Sequence, residues 1–129
     1  MARMLETMAD AGVRIAAALA AGEDPWIPVR DFVDGYRRAQ GALRDWLLAP
    51  EPGPTGDLRL DAYLAGLAEH FAREDGRDPP GWVEDPSRFL DRSWFREPRP
   101  HFWPLALVQS PLPFRRRLVF IEESEFERV

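Results

Sequence analysis

The segment "DLRLDAYLAGLAEHFA", Asp57–Ala72, is the most strongly patterned part of this 129-residue chain. Asp57 belongs to the residue types that cap helix N-termini. The apolar residues that follow recur three and four positions apart, which is the spacing of one helix face. The sequence therefore predicts a helix that begins after Asp57 and ends in the segment 73–81, with Leu64, Leu67 and Phe71 buried.

Two more helices are predicted before this one. Apolar residues at helical spacing predict a helix over Ala2–Ala21, which Gly22 stops. A similar stripe predicts a second helix from Val29 to about Leu48. The connector "APEPGPTGD", residues 49–57, is rich in proline and glycine but too short to separate two domains.

After residue 82 prolines recur at short intervals, which excludes a long helix there. Short helical turns are predicted in "PSRFLD" (86–91), "WPLALVQ" (103–109) and "SPLPFRR" (110–116). In the last of these, Ser110 is predicted to cap the helix, with Pro111 as its first residue. "RLVFIE" (117–122) predicts a short extended segment, and 124–128 a final helical turn.

The expected fold is therefore mainly α, with three long helices packed with a proline-rich C-terminal region of short helices and one short extended segment. A single domain is expected over residues 1–129. Within it, residues 1–50 form an N-terminal helical pair, and residues 57–129 form the second part.

The composition excludes several kinds of site. The chain has no cysteine, which excludes disulfides and thiolate metal sites and fits a cytoplasmic location. It has no lysine, which excludes a P-loop, and neither of its two histidines has a partner expected for catalysis. No catalytic, cofactor-binding or metal-binding residue is predicted, and no membrane segment. An enzyme with a carboxylate site that assembles only in the folded chain remains an alternative.

Charge is unevenly distributed along the sequence. The formal net charge is −7 over residues 1–85, +5 over residues 86–118 and −3 over residues 119–129. The total of −5 disfavours binding to a phosphate backbone. Folding can bring the acidic helical part and the basic part together.

Two basic clusters are the candidate partner-binding residues. In "FLDRSWFREPRPHFW" (89–103), Arg92, Trp94 and Phe95 belong to an alternation of arginine and aromatic residues. Core packing, a protein interface and stacking on single-stranded nucleic acid all use this composition, so the three remain open.

The second cluster is the triplet Arg115, Arg116 and Arg117. Arginine suits half-buried ion pairs because its guanidinium binds a carboxylate through two hydrogen bonds. We expect at least one of the three to pair with an acid from residues 1–85, and at least one to stay exposed for a partner.

The motifs "WVEDPSRFLDRSWF" and "ALVQSPLPFRRRLVFIEESEFERV" resemble a family of small bacterial regulators and stand-alone proteins from high-GC genomes. The resemblance covers residues 58–129 and is most specific in "RFLDRSWF" and "SPLPFRRRLVFI". Longer members of the family carry an N-terminal helix-turn-helix of the phage-repressor type. Members are often encoded beside a nucleotidyltransferase-like toxin, as in a toxin–antitoxin system. Residues 1–50 lack the helix-turn-helix signature, so DNA binding is not implied.

The resemblance implies a cytoplasmic, antitoxin-like protein, and the absence of a recognisable catalytic motif predicts that it is not an enzyme. Its expected function is to bind and neutralise a protein partner such as a nucleotidyltransferase-type toxin, without nucleic acid or a membrane and with a homodimer as a further possibility. The alternative functions are a transcription-associated regulator acting on nucleic acid and the carboxylate enzyme named above.

Overall fold

The computed structural model describes residues 5–122 and Glu125, and it is mainly helical, as predicted. The chain divides into two compact units, Met1–Asp57 and Leu58–Val129. The expectation of one domain over residues 1–129 stays a prediction.

In the first unit, helix α1 spans Met8–Ala21 and therefore begins later than residue 2. Its start is fixed by a capping box, in which the Thr7 hydroxyl accepts from the Asp10 N–H and the Asp10 carboxylate accepts from the Thr7 N–H. Gly22 ends the helix in the left-handed conformation, with φ of 71°. Residues 2–4, which the predicted helix included, lie outside the described residues.

The single helix predicted over residues 29–48 is wrong, because the segment forms two helices. Helix α2 spans Trp26–Arg38 and helix α3 spans Ala42–Leu48. The chain turns at Gly41, whose φ of 62° favours glycine. Arg44 closes the corner, because its Nε donates to the Ala39 carbonyl oxygen at 2.8 Å.

Helix α4, Leu58–Glu74, is the central element of the second unit and confirms the clearest sequence prediction. Leu64, Leu67 and Phe71 are all buried. Three short elements of the same unit pack against α4. They are the 3₁₀ helices Gly81–Glu84 and Pro86–Arg88 and the short helix Leu112–Arg115.

The proline-rich region contains the predicted short helices. After a further 3₁₀ helix at Pro100–Phe102, helix α5 spans Trp103–Gln109 and helix α6 spans Leu112–Arg115. The extended segment is also present, as strand β2, Val119–Phe120. It pairs in parallel with strand β1, Trp94–Phe95, a partner that the sequence analysis did not predict. The helical turn predicted over residues 124–128 falls largely outside the described residues.

Ser110 does not cap α6 as predicted. The N-cap of α6 is Pro111, and the Ser110 hydroxyl is used elsewhere. It accepts from the Ile121 N–H at 2.8 Å and lies 2.6 Å from the Ala106 carbonyl oxygen. Ser110 therefore joins the end of α5 to the chain that leaves β2.

A glycine in α4 allows α6 to approach closely. A Cβ atom at Gly66 would lie 2.8 Å from Cδ1 of Phe114, which is shorter than real Cβ contacts. Phe114 is itself fully buried and lies against Tyr63, with ring centroids 5.3 Å apart. The Phe114 ring therefore occupies the space that a side chain at position 66 would need.

We expect Gly66→Ala to lower the free energy of unfolding by about 1–3 kcal/mol, because overpacking forces buried groups apart. Gly81→Ala is the matched control, since a Cβ there meets no atom within 4 Å. Urea unfolding followed by circular dichroism compares the two variants. Equal stability of both would show that the α4–α6 contact adapts freely.

A buried ion cluster and the candidate protein-interaction surface

Glu69, on the inner side of α4, is a buried carboxylate shared by two arginines. Its Oε1 accepts from Arg116 Nε at 3.0 Å and from Arg116 Nη2 at 2.7 Å. The same oxygen accepts from Arg117 Nη1 at 2.6 Å. Both arginines directly follow α6, so this ion cluster ties the proline-rich region to α4. It confirms that the arginine triplet pairs with an acid from residues 1–85.

Arg117 is the most deeply buried member of the cluster, with 0% of its surface exposed. Its Nη1 also donates to the Pro113 carbonyl oxygen at 2.7 Å, and its Nη2 donates to the Val83 carbonyl oxygen at 2.6 Å. The guanidinium carbon lies 4.6 Å from the centre of the Phe89 ring. Arg117 therefore connects α4, α6 and the 3₁₀ helix Gly81–Glu84 through one side chain.

Arg116 bridges the buried and exposed ends of the cluster. It is half-buried and pairs with the exposed Glu84 as well as with Glu69. Its guanidinium carbon lies 5.0 Å from the Phe89 ring centre, so this ring contacts both arginines. Glu69 also receives the exposed Arg73, whose Nε lies 3.3 Å from Oε2.

The cluster keeps Glu69 ionised. Burial on its own raises the pKa of Glu69, but the hydrogen bonds and charges of Arg116 and Arg117 outweigh this effect. The pKa of Glu69 therefore lies below its ordinary value. Burial lowers the pKa of Arg117, and the hydrogen bond and charge of Glu69 oppose this change. Arg117 nevertheless stays charged, because a guanidinium is not deprotonated in proteins.

The backbone after α6 places two consecutive arginines on the same carboxylate. Arg116 still has helical dihedral angles, φ −68° and ψ −14°. Leu118 then adopts a left-handed conformation, with φ of 62°, and the chain turns into β2. In an extended segment, neighbouring side chains would point to opposite faces. The helical turn instead sends Arg116 and Arg117 to the same acid.

Arg115 is the exposed member of the triplet, which confirms that one arginine stays at the surface. Its Nη2 donates to the carbonyl oxygens of Val108 and Ser110, at 3.2 and 3.1 Å. Within the described part of the chain, Arg115 forms no ion pair. The side chain is therefore held in place by two carbonyl oxygens, and no described acidic residue neutralises its charge.

Exposed apolar side chains lie beside Arg115. Leu105 and Val108 share one face of α5, and Leu112 shares a face of α6 with Arg115. All three apolar residues are exposed, Val108 most of all, at 77%. We call these four residues, Leu105, Val108, Leu112 and Arg115, the α5–α6 patch.

The arginine–aromatic segment is partly internal. The Phe95 ring stacks on Trp103, with centroids 4.5 Å apart, and on Phe120, at 5.0 Å. Trp94 is half-buried, and Arg59 lies over its ring. Arg92 is exposed. Packing therefore accounts for Phe95, while Arg92 and part of Trp94 are accessible.

The six predicted partner-binding residues thus have different surroundings. Arg92 and Arg115 are exposed, and Trp94, Phe95 and Arg116 are half-buried. Arg117 offers no surface to a partner, because the fold encloses it completely. The apolar members of the α5–α6 patch were not predicted as partner-binding residues. Apolar residues at nearly every position of α5 indicate that some must be exposed, but the sequence does not show which.

The described residues include no group of three or more histidine or acidic residues arranged to hold a metal ion. His70 lies beside Phe71 and Phe114 and 3.8 Å from a Glu74 oxygen. No described helix is long and apolar enough to cross a membrane. Comparisons with protein-family models, with curated proteins and with solved structures found no match to this chain.

Truncation should separate the buried arginine from an exposed one that contacts the same acid. We expect Arg117→Ala to lower the free energy of unfolding by about 3–5 kcal/mol, because it disrupts a buried ion pair. Arg73→Ala should cost less than about 1 kcal/mol, since Arg73 is largely exposed. Denaturant-dependent hydrogen exchange of the α4 amides measures both. Similar losses in the two variants would contradict a special role for Arg117.

The lowered pKa of Glu69 gives the cluster a pH dependence with a definite sign. As pH falls below the ordinary value of 4.5, the unfolded chain takes up the Glu69 proton before the folded chain does. The stabilisation by Glu69 is therefore complete above that pH and is lost as pH falls through the folded pKa. We expect the stability difference between the parent and Glu69→Gln to shrink over this range. A difference that stays constant from neutral pH to pH 3 would contradict the prediction.

Proposed function

We propose that this chain is a non-catalytic protein-binding module that recognises its partner through the second unit. The observation that carries the proposal is Arg115, an exposed guanidinium held by two carbonyl oxygens and bordered by exposed apolar side chains. Arginine is one of the residue types that dominate the binding energy of protein interfaces. A side chain already held in position also loses less conformational entropy when a partner binds.

The surroundings of the other arginines favour a protein partner over nucleic acid. Residues 86–118 contain 7 arginines, but Arg88 and Arg117 are buried and Arg116 is paired with two acids. Arg99 is paired with Glu97. Much of the positive charge in this segment is thus neutralised or enclosed within the unit. A phosphate backbone needs several accessible cations on one surface.

The resemblance of residues 58–129 to antitoxin-like regulators supports a more specific proposal. In this proposal the partner is a nucleotidyltransferase-type toxin, and binding by this chain neutralises it in the cytoplasm. The segment "SPLPFRRRLVFI", among the most specific parts of the resemblance, contains both the buried arginines and Arg115. The same short sequence would then build the fold and present the binding residue.

Co-purification from the native host tests the proposal. We expect the tagged chain to elute as a stoichiometric complex with one other protein, which mass spectrometry identifies as a nucleotidyltransferase-like protein. Expression of that protein alone in a second bacterial host should arrest growth, and co-expression of this chain should restore it.

The same preparation distinguishes the alternatives. We expect no appreciable binding of duplex DNA at physiological salt in an anisotropy titration, because the net charge is −5. Tight, salt-dependent DNA binding by the purified chain, or a chain that elutes alone, would contradict the proposed function.

A further inference from the structure

Resting on the proposed function, we infer that the α5–α6 patch binds an amphipathic helix of the partner, with apolar side chains over Leu105, Val108 and Leu112 and a carboxylate on Arg115. The patch would set the position, the secondary structure and the charge of the bound segment.

The patch is continuous across the break between α5 and α6. Leu105 and Val108 are three residues apart on α5, and Leu112 and Arg115 are three residues apart on α6, so each pair shares a helix face. The hydrogen bond from Arg115 Nη2 to the Val108 carbonyl oxygen joins the two pairs. The result is a strip of three apolar side chains, with the guanidinium of Arg115 where the two pairs meet.

The apolar part of the strip is accessible for binding. Val108 is 77% exposed, Leu112 is 68% exposed and Leu105 is 45% exposed. Covering such side chains is favourable because it removes apolar surface from water. Three neighbouring apolar side chains of this size match the side chains that an amphipathic helix presents at three- and four-residue spacing.

A strand is a poorer occupant than a helix. An added strand needs unpaired backbone groups along an edge, and α5 and α6 present side chains instead. Two of the carbonyl oxygens next to the patch, those of Val108 and Ser110, are already bound by Arg115. Side chains packing between side chains, as in helix–helix contacts, are the interaction that remains.

Arg115 sets the charge of the occupant. Only its Nη2 is engaged within the described residues, which leaves Nε and Nη1 to bind a carboxylate from outside. Because its guanidinium lies where the two pairs meet, the carboxylate should lie between apolar side chains of the bound helix. A basic helix would place its charge against Arg115 and should be rejected.

Two synthetic helical peptides test this inference directly on the full chain. They share the same leucines at three- and four-residue spacing and differ only in glutamate or lysine at one position of the same helix face, between the leucines. Fluorescence anisotropy measures binding of each peptide to the parent, to Arg115→Glu, to Val108→Asp and to Leu58→Asp. Leu58 is the matched control, because it is an equally exposed leucine of the same unit, outside the patch.

We expect the parent to bind the glutamate peptide at least about tenfold more tightly than the lysine peptide. Arg115→Glu should reverse this preference, Val108→Asp should abolish binding of both peptides, and Leu58→Asp should behave like the parent. Thermal melting checks that each variant is folded, and Leu112→Asp replaces Val108→Asp if the latter is not.

Equal binding of the two peptides, no binding of either, or no effect of Arg115→Glu would overturn the inference. Dimerisation of the parent that is lost in Val108→Asp, seen by sedimentation velocity, would also overturn it and assign the patch to a second copy. If the native partner is found but binds Val108→Asp as tightly as the parent, the proposed function stands and the inference fails. If peptides bind as expected but no native partner exists, the proposed function fails instead.

Discussion

The second unit depends on one electrostatic constraint, which is that the buried carboxylate of Glu69 and the buried guanidinium of Arg117 need each other. Either charge alone inside the fold would lack the solvation that water gives it, at a cost of several kcal/mol. Together they lie 2.6 Å apart, and the remaining Arg117 hydrogen bonds go to carbonyl oxygens of two further elements. A region with many prolines and short helices has few long-range backbone bonds, so this shared contact fixes where it lies on α4.

The charge exposed on the surface of the unit depends on the buried ion cluster. Because Arg116 and Arg117 turn inward to Glu69, their charges are neutralised within the unit. Arg115, one residue earlier, lies on the outer side of α6 and caps the carbonyl end of α5 instead. The basic triplet is thus divided between two tasks, and the apolar residues of α5 and α6 lie beside its exposed member. The fold of the unit and its proposed binding surface are therefore both set by the direction in which three consecutive side chains point.

The sequence predicted those features that depend on local pattern. The periodicity from Leu60 to Phe71 was strong enough to define α4 and its buried face. The prolines correctly limited the later helices to a few residues. The break at Gly41 was not predicted, since the apolar stripe continues across it and only the backbone conformation reveals the corner. The pairing of β1 with β2 depends on contacts between distant residues, which no local pattern encodes.

The candidate site shows the same division. Charge distribution alone indicated that the triplet would meet an acid, but it could not select Glu69 among 16 acidic residues in the first 85. That selection depends on how α6 packs against α4, which no local sequence pattern encodes. The exposure of Val108 and Leu112 could not be read from the sequence either, because it depends on which face of each short helix packs inward.

A double-mutant cycle between Glu69 and Arg117 measures whether the two buried charges stabilise the unit only as a pair. The free energy of unfolding, from hydrogen exchange of the α4 amides, is compared for the parent, Glu69→Gln, Arg117→Met and the double variant. We predict a coupling free energy between the two residues of roughly 2 kcal/mol or more, because each single change leaves a buried charge poorly paired and the double change removes both charges. Additive losses of stability, with a coupling near zero, would show that the two residues stabilise the unit independently and that neither buried charge needs the other.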